Sequence, residues 1–108
     1  QEKFKVICID SGFHIKSVTD ISAGGARFTP VDFRELTKAV LNSGTDIVIL
    51  AHNHPDSPNT PSQEDVTLTR EVMRYMRCLG VTVLDHYITG KNGTISMRNC
   101  GLIHDMEC

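Results

Sequence analysis

The sequence predicts an α/β fold, a mixed β-sheet packed with helices, on three observations. Phe33, Leu36 and Val40, and later Leu68, Val72, Tyr75, Met76 and Leu79, recur at helical spacing. Residues 46–51 hold a short continuous apolar run, the mark of a strand buried on both faces, and residues 81–84 begin another. The segments then follow in the order β-β-α-β-α-β-β, which implies helices laid against a sheet.

Taken in order, residues 3–10 read as a strand in which Phe4, Val6 and Cys8 alternate with Lys5, Ile7 and Ile9, so both faces are partly apolar. Ser11-Gly12 signals a turn, and a second strand from about Phe13 through Ile15 and Val18 toward Ile21 completes an antiparallel hairpin. Ala23-Gly24-Gly25 breaks the pattern. Thr29 is a good N-cap, Pro30 suits the first helical position and Asp32 puts a negative charge in the first turn, so a helix is expected from there to Gly44. A buried strand occupies residues 46–51. Residues 52–61 hold three prolines and are expected to be irregular. A second helix opens at Ser62 and stops at Gly80. A strand follows over residues 81–88, then a Lys91-Asn92-Gly93 turn and a last strand over residues 94–97.

At 108 residues the chain is expected to be one domain, residues 1–108, able to bury about two thirds of its unfolded surface without a metal or disulfide staple. It opens on Gln1 rather than Met, which suggests a fragment of a longer chain. A net charge of -2 argues against a large nucleic-acid footprint, which shows as clustered Lys and Arg. Arg70, Arg74 and Arg77 share a helix face, read most simply as a solvated surface. Cys8, Cys78, Cys100 and Cys108 form no C-x-x-C pair; Cys8 and Cys78 sit in apolar patterns and read as small core residues. Nothing suggests a secreted scaffold, a signal peptide or a transmembrane stretch, and a reducing cytoplasm is the expected location.

His52 and His54 are the first chemically pointed feature. Residues two apart in extended backbone face the same side, roughly 6.5–7 Å apart, so the two imidazoles can converge on one ion while Asn53 points away. Alone, the pair reads equally well as two unrelated loop histidines. Ser62 and Asp65 are the second feature. Ser-x-x-Asp opening a helix is a capping box, and capping explains both residues without a metal. The two readings are compatible, since a helix starting just after the histidine loop can turn Asp65 back toward it. Two histidines and one carboxylate leave a fourth position for water, the pattern of catalytic rather than structural zinc. For a base, Glu64, Asp56 and Glu2 are all candidates, and spacing does not choose among them.

His52-x-His54-Pro55, with Ser62 and Asp65 following, resembles the signature of the JAMM (MPN+) metalloproteases. Ala51-His-Asn-His-Pro55, Thr60-Pro-Ser-x-x-Asp65, Leu84-Asp-His86 and Gly101-Leu-Ile103 more closely resemble the JAB-type domain of the RadC family, from about Glu2 to Ile103. The resemblance implies a Zn2+ ion on His52, His54 and Asp65, Glu2 as general base and Ser62 as oxyanion donor. It also implies an α/β sandwich similar to that of cytidine deaminases, and the family name carries a DNA-repair label. Asp56-Ser57 departs from the Ser-Gly that such relatives have after His-Pro, which bears on loop shape rather than on the ligands. Asp85 and His86 face opposite ways on a strand and read as structural, either a hydrogen-bonded core group or partners of the zinc ligands. His14 and His104 are expected at the surface.

Two functions fit. The first is a zinc metallohydrolase acting on a peptide or isopeptide bond of a peptide or protein substrate. The second is a metal-stabilised binding module in a DNA-processing context without catalysis. A nucleotide deaminase is excluded, because Pro-Cys-x-x-Cys and His-x-Glu are both missing. His and carboxylate ligands suit zinc but also admit iron or manganese.

Overall fold

Phe4, Val6 and Cys8 are buried while Lys5 is exposed and Ile7 half-buried, so the first strand lays one fully apolar face against a core. In the computed structural model, which describes residues 2–24 and 30–103, that strand is β1, Phe4–Ile9. It is followed by β2 (Ile15–Asp20), α1 (Phe33–Ser43), β3 (Ile47–Asn53), α2 (Gln63–Cys78), β4 (Thr82–Gly90) and β5 (Gly93–Ser96). The sheet runs β2-β1-β3-β4-β5, with β3 and β4 parallel and the other neighbours antiparallel. The expected mixed-sheet α/β architecture is therefore the one found.

Strand β2 is antiparallel to β1, and β1 to β3, so β2 and β3 run the same way. The connections β2-α1-β3 and β3-α2-β4 thus both join parallel strands and step across the sheet in one direction. Right-handed crossovers then place both helices on one face. Their contacts agree. The Phe33 ring meets Tyr75 edge-on at 5.3 Å, Thr37 hydrogen-bonds the Tyr75 hydroxyl, and Leu36, Val40, Val72 and Met76 share a core with Phe4, Val6, Val48 and Leu50. Among the described residues, no helix is long and apolar enough to cross a membrane.

Helix α1 starts later than Thr29-Pro30 suggests. Asp32 is its N-cap, accepting from the backbone N–H groups of Arg34 and Glu35. Val31 is held in a β-bridge with Ser22, and the flanking bonds Ala23 N–H to Pro30 C=O and Asp32 N–H to Ile21 C=O keep Pro30 to Asp32 out of the helix. Thr29 itself lies outside the described residues, as does His104. Strand β3 also runs further than the three prolines suggest. His52 pairs with Phe4 on one side and Ile88 on the other, and Asn53 pairs with Thr89. Cys8 is buried as expected, but Cys78 is exposed, because it falls two residues past the buried Met76 and so on the far side of α2. Arg70, Arg74 and Arg77 are exposed, as is His14, whose ring sits 3.2 Å from Asp10.

One irregularity matters for the site. Val48 pairs with Val83 but Ile49 pairs with Asp85, leaving Leu84 as a bulge. A one-residue bulge reverses which side chains face the core. Val81 and Val83 point inward before it, and His86 and Ile88 do so after it. Asp85 is buried through a different contact: its carboxylate accepts from the N–H groups of His86 and Arg98 and from the Ser96 hydroxyl, fixing the turn after β5.

Candidate metal centre

The histidines meet because of the sheet. His52 lies in β3 directly opposite Phe4, whose ring stacks on the imidazole at 4.9 Å and 5°. His54 follows as the strand ends, two residues on and on the same side. Its Nε2 comes to 3.1 Å from Nε2 of His52. Continuing the β1–β3 register two residues past the Phe4–His52 pair sets Glu2 opposite His54. Asn53 holds that end of β1 in place, its side-chain carbonyl accepting from Lys3 N–H at 2.6 Å. A Glu2 oxygen sits 4.0 Å from Nε2 of both histidines. Glu2, His52 and His54 thus form a group whose donor atoms all lie within 4.8 Å of one another, a candidate metal-binding triad.

Asp65 arrives from α2. Ser62 accepts from the Asp65 N–H at 3.0 Å while the Asp65 carboxylate accepts from the Ser62 N–H at 2.8 Å, the expected capping box. That reciprocal pair fixes the rotamer and aims the remaining face of the carboxylate at the histidines. One oxygen lies 3.3 Å from His52 Nε2 and the other 3.3 Å from His54 Nε2. Capping and a close approach to both histidines therefore coexist in one residue. Burial raises the Asp65 pKa, but the hydrogen bond with His52, the Ser62 N–H and the His52 charge outweigh it and hold the carboxyl well below its usual 3.8.

The donor set fits a zinc ion. Four ligands at about 2.0–2.1 Å in a tetrahedron lie about 3.3 Å from one another. The separations of 3.1, 3.3 and 3.3 Å among His52, His54 and Asp65 match one face of such a tetrahedron. Glu2, at 4.0 Å from both nitrogens, is set further out. Nδ1 of His54 lies 2.9 Å from the Pro58 carbonyl, which can only accept, so that nitrogen carries the proton and Nε2 keeps its lone pair. The site is open on the Glu2 side, where that side chain is 49% exposed against 2% for His52 and 11% for His54.

Of the other carboxylates weighed as bases, Glu64 and Asp56 are exposed and make no contact with the histidines among the described interactions. Ser62 is exposed at the helix start, and because its oxygen accepts from Asp65, its hydroxyl proton stays available. His86 lies behind the site, with Nε2 2.7 Å from His52 Nδ1 and Nδ1 2.6 Å from the Thr69 hydroxyl. Desolvation first, then the neighbouring His52, push its pKa down to about 3, so it is neutral. Thr69 had no place in the sequence reading. The signal was available, since Thr69 stands one helical turn after Asp65 on α2.

Fold and site together define a class: an α/β domain presenting a His-x-His pair with flanking carboxylates where a central strand leaves the sheet. The model of the RadC-like JAB domain family matches residues 1–102. UPF0758 proteins of Desulfitobacterium hafniense and Symbiobacterium thermophilum are 35% and 37% identical over 103 and 102 residues, which is 95% and 94% of this chain. One from Roseiflexus sp. is 33% identical over 102 residues. The chain belongs to the RadC-like JAB domain family. It spans about 45% of the length of the first two of these relatives taken in that order, 45% and 44%.

Proposed function

We propose that the domain is a zinc-dependent hydrolase of peptide or isopeptide bonds, with His52, His54 and Asp65 as the metal ligands. The observation that carries this reading is the 3.1–3.3 Å triangle of donor atoms with a second carboxylate set further out, 4.0 Å from both histidine nitrogens. Zinc held there supplies a Lewis acid and lowers the pKa of a coordinated water to about 7. Glu2, 4.0 Å from Nε2 of both histidines, is the base in this reading and would take the proton of the attacking water. Its half-exposed position also lets the proton leave to the departing amine or to solvent. Ser62 would donate a hydrogen bond from its hydroxyl to the oxyanion that develops on the scissile carbonyl. Family membership supports the reading, and the open Glu2 side offers a route in for an extended peptide.

The test is Glu2→Gln, assayed with isopeptide-linked and linear peptide substrates and for zinc content. The variant is expected to keep its zinc and lose at least about 100-fold in turnover, the usual worth of a general base. Undiminished turnover overturns Glu2 as base. A parent chain that holds zinc and cleaves neither substrate class favours the metal-stabilised binding module instead.

A further inference from the structure

We infer that Thr69 and His86 form a proton-ordering relay that sets the tautomer of His52, and that Thr69 is thereby a positioning residue for the metal centre. The inference rests on the metal reading above for its purpose, but its geometry stands on its own. The relay is a closed ring that leaves and re-enters Asp65. The Asp65 carboxylate faces His52 Nε2 at 3.3 Å, His52 Nδ1 faces His86 Nε2 at 2.7 Å, His86 Nδ1 faces Thr69 Oγ1 at 2.6 Å, and Thr69 Oγ1 reaches the Asp65 carbonyl at 2.7 Å.

The three contacts at 2.6–2.7 Å each need one proton, and counting these fixes their positions. The Asp65 carbonyl has no proton, so the Thr69 hydroxyl donates its own to it. The other neighbour of that hydroxyl, Met97 Sδ at 3.6 Å, is also only an acceptor. Thr69 Oγ1 must therefore accept from His86, which places the His86 proton on Nδ1. The His86 ring is fully buried and, among the described residues, its two nitrogens contact His52 and Thr69, neither of them an anion, so it carries one proton. His86 Nε2 is then an acceptor, and His52 Nδ1 donates to it. The nitrogen of His52 left for a metal is Nε2, on the side of His54 and Asp65.

The bulge at Leu84 makes the relay reachable. Unbroken alternation from Val83 would put Asp85 toward α2, whereas the bulge brings His86 to that face, opposite Leu50 and beside Thr69. A hydroxyl on α2 thus sets the protonation of a strand histidine two contacts away, and couples helix position to the donor state of the site.

Thr69→Val and Thr69→Ser test this. Valine has nearly the shape of threonine without the hydroxyl, and serine restores the hydroxyl alone. With valine, His86 Nδ1–H loses its acceptor, and the proton moves to Nε2, where it opposes His52 Nδ1–H. Zinc affinity, read by competition with a chelator, is expected to fall 10–100-fold in Thr69→Val and to stay within about threefold of the parent in Thr69→Ser. Nitrogen-15 spectra of the metal-free parent are expected to show the His86 proton on Nδ1, and those of Thr69→Val to show it on Nε2. Zinc affinity in Thr69→Val equal to the parent, or a His86 proton on Nε2 in the parent, overturns the relay. A parent that takes up no zinc overturns the metal reading instead, and the tautomer spectra then decide the relay separately.

Discussion

The imidazole of His54 is tied through Nδ1 to the carbonyl of Pro58, 2.9 Å away and four residues ahead in the same loop. The loop in turn is pinned to the β4–β5 hairpin. His54 N–H donates to Thr89 C=O, Lys91 N–H to Ser57 C=O, Asn59 N–H to the Asn92 side chain, and the Asn59 side-chain NH2 to Gly93 C=O. Gly90 makes the approach possible: a Cβ there would fall 2.3 Å from Asn59 N and 2.5 Å from the Pro58 carbonyl carbon. Both are backbone, so the loop itself would have to shift. Gly90→Ala is expected to destabilise the fold by about 1–3 kcal/mol and to weaken zinc binding by moving Pro58 away from His54. Urea denaturation and a zinc titration check both. An unchanged zinc affinity would detach the loop anchor from the site.

Acid is expected to destabilise the metal-free protein in two stages. His86 titrates at about 3 in the folded chain against an ordinary 6.5. Between those values the unfolded chain binds a proton that the folded chain refuses. Stability therefore falls as pH drops from about 6.5 toward 3, by up to about 1.4 kcal/mol per unit. Asp65 acts lower down. Its folded pKa lies below 3.8, so its contribution is present above that value and is lost as pH falls further. Denaturation between pH 7 and pH 4 is expected to show a slope about one proton shallower in His86→Gln than in the parent. Parallel slopes would contradict the neutral, buried imidazole.

Ser62 is a helix cap and, in the proposed function, also an oxyanion donor, and substitution separates the two. Ser62→Ala removes the cap acceptor for Asp65 N–H and is expected to cost about 1 kcal/mol of stability. It also removes the proposed oxyanion donor, for an expected loss of turnover of about 10²–10³-fold. Ser62→Asp keeps an acceptor at the cap but has no hydroxyl proton, so stability is expected to hold while turnover still falls. Full turnover in Ser62→Asp would leave Ser62 as a cap alone.

How far the sequence could be read depended on the range of the interactions involved. The order of seven elements was legible because Phe33, Leu36 and Val40, or Val81 and Val83, announce their period locally. The capping box at Ser62 and Asp65 was legible because a cap is a four-residue event. The start of α1 was not, because the Ser22–Val31 bridge that holds Pro30 to Asp32 out of the helix joins residues nine apart. Spacing alone did not separate Glu2 from Glu64 and Asp56, and its place opposite His54 comes from the β1–β3 register, which is a tertiary fact. The inward turn of His86 depends on an unpaired Leu84 that no local pattern marks, since the run from Val81 to Leu84 reads as an unbroken strand.

The central claim is that His52, His54 and Asp65 hold one metal ion while Glu2 stands off it, and a zinc titration of the metal-free chain tests it most directly. The parent is expected to bind one zinc, with affinity falling by at least about 100-fold in His52→Ala and in Asp65→Asn, which keeps a cap acceptor but loses the anionic ligand, and nearly unchanged in Glu2→Gln. The opposite pattern, with Asp65→Asn binding as the parent does and Glu2→Gln losing the ion, would make Glu2 the third ligand and contradict the account.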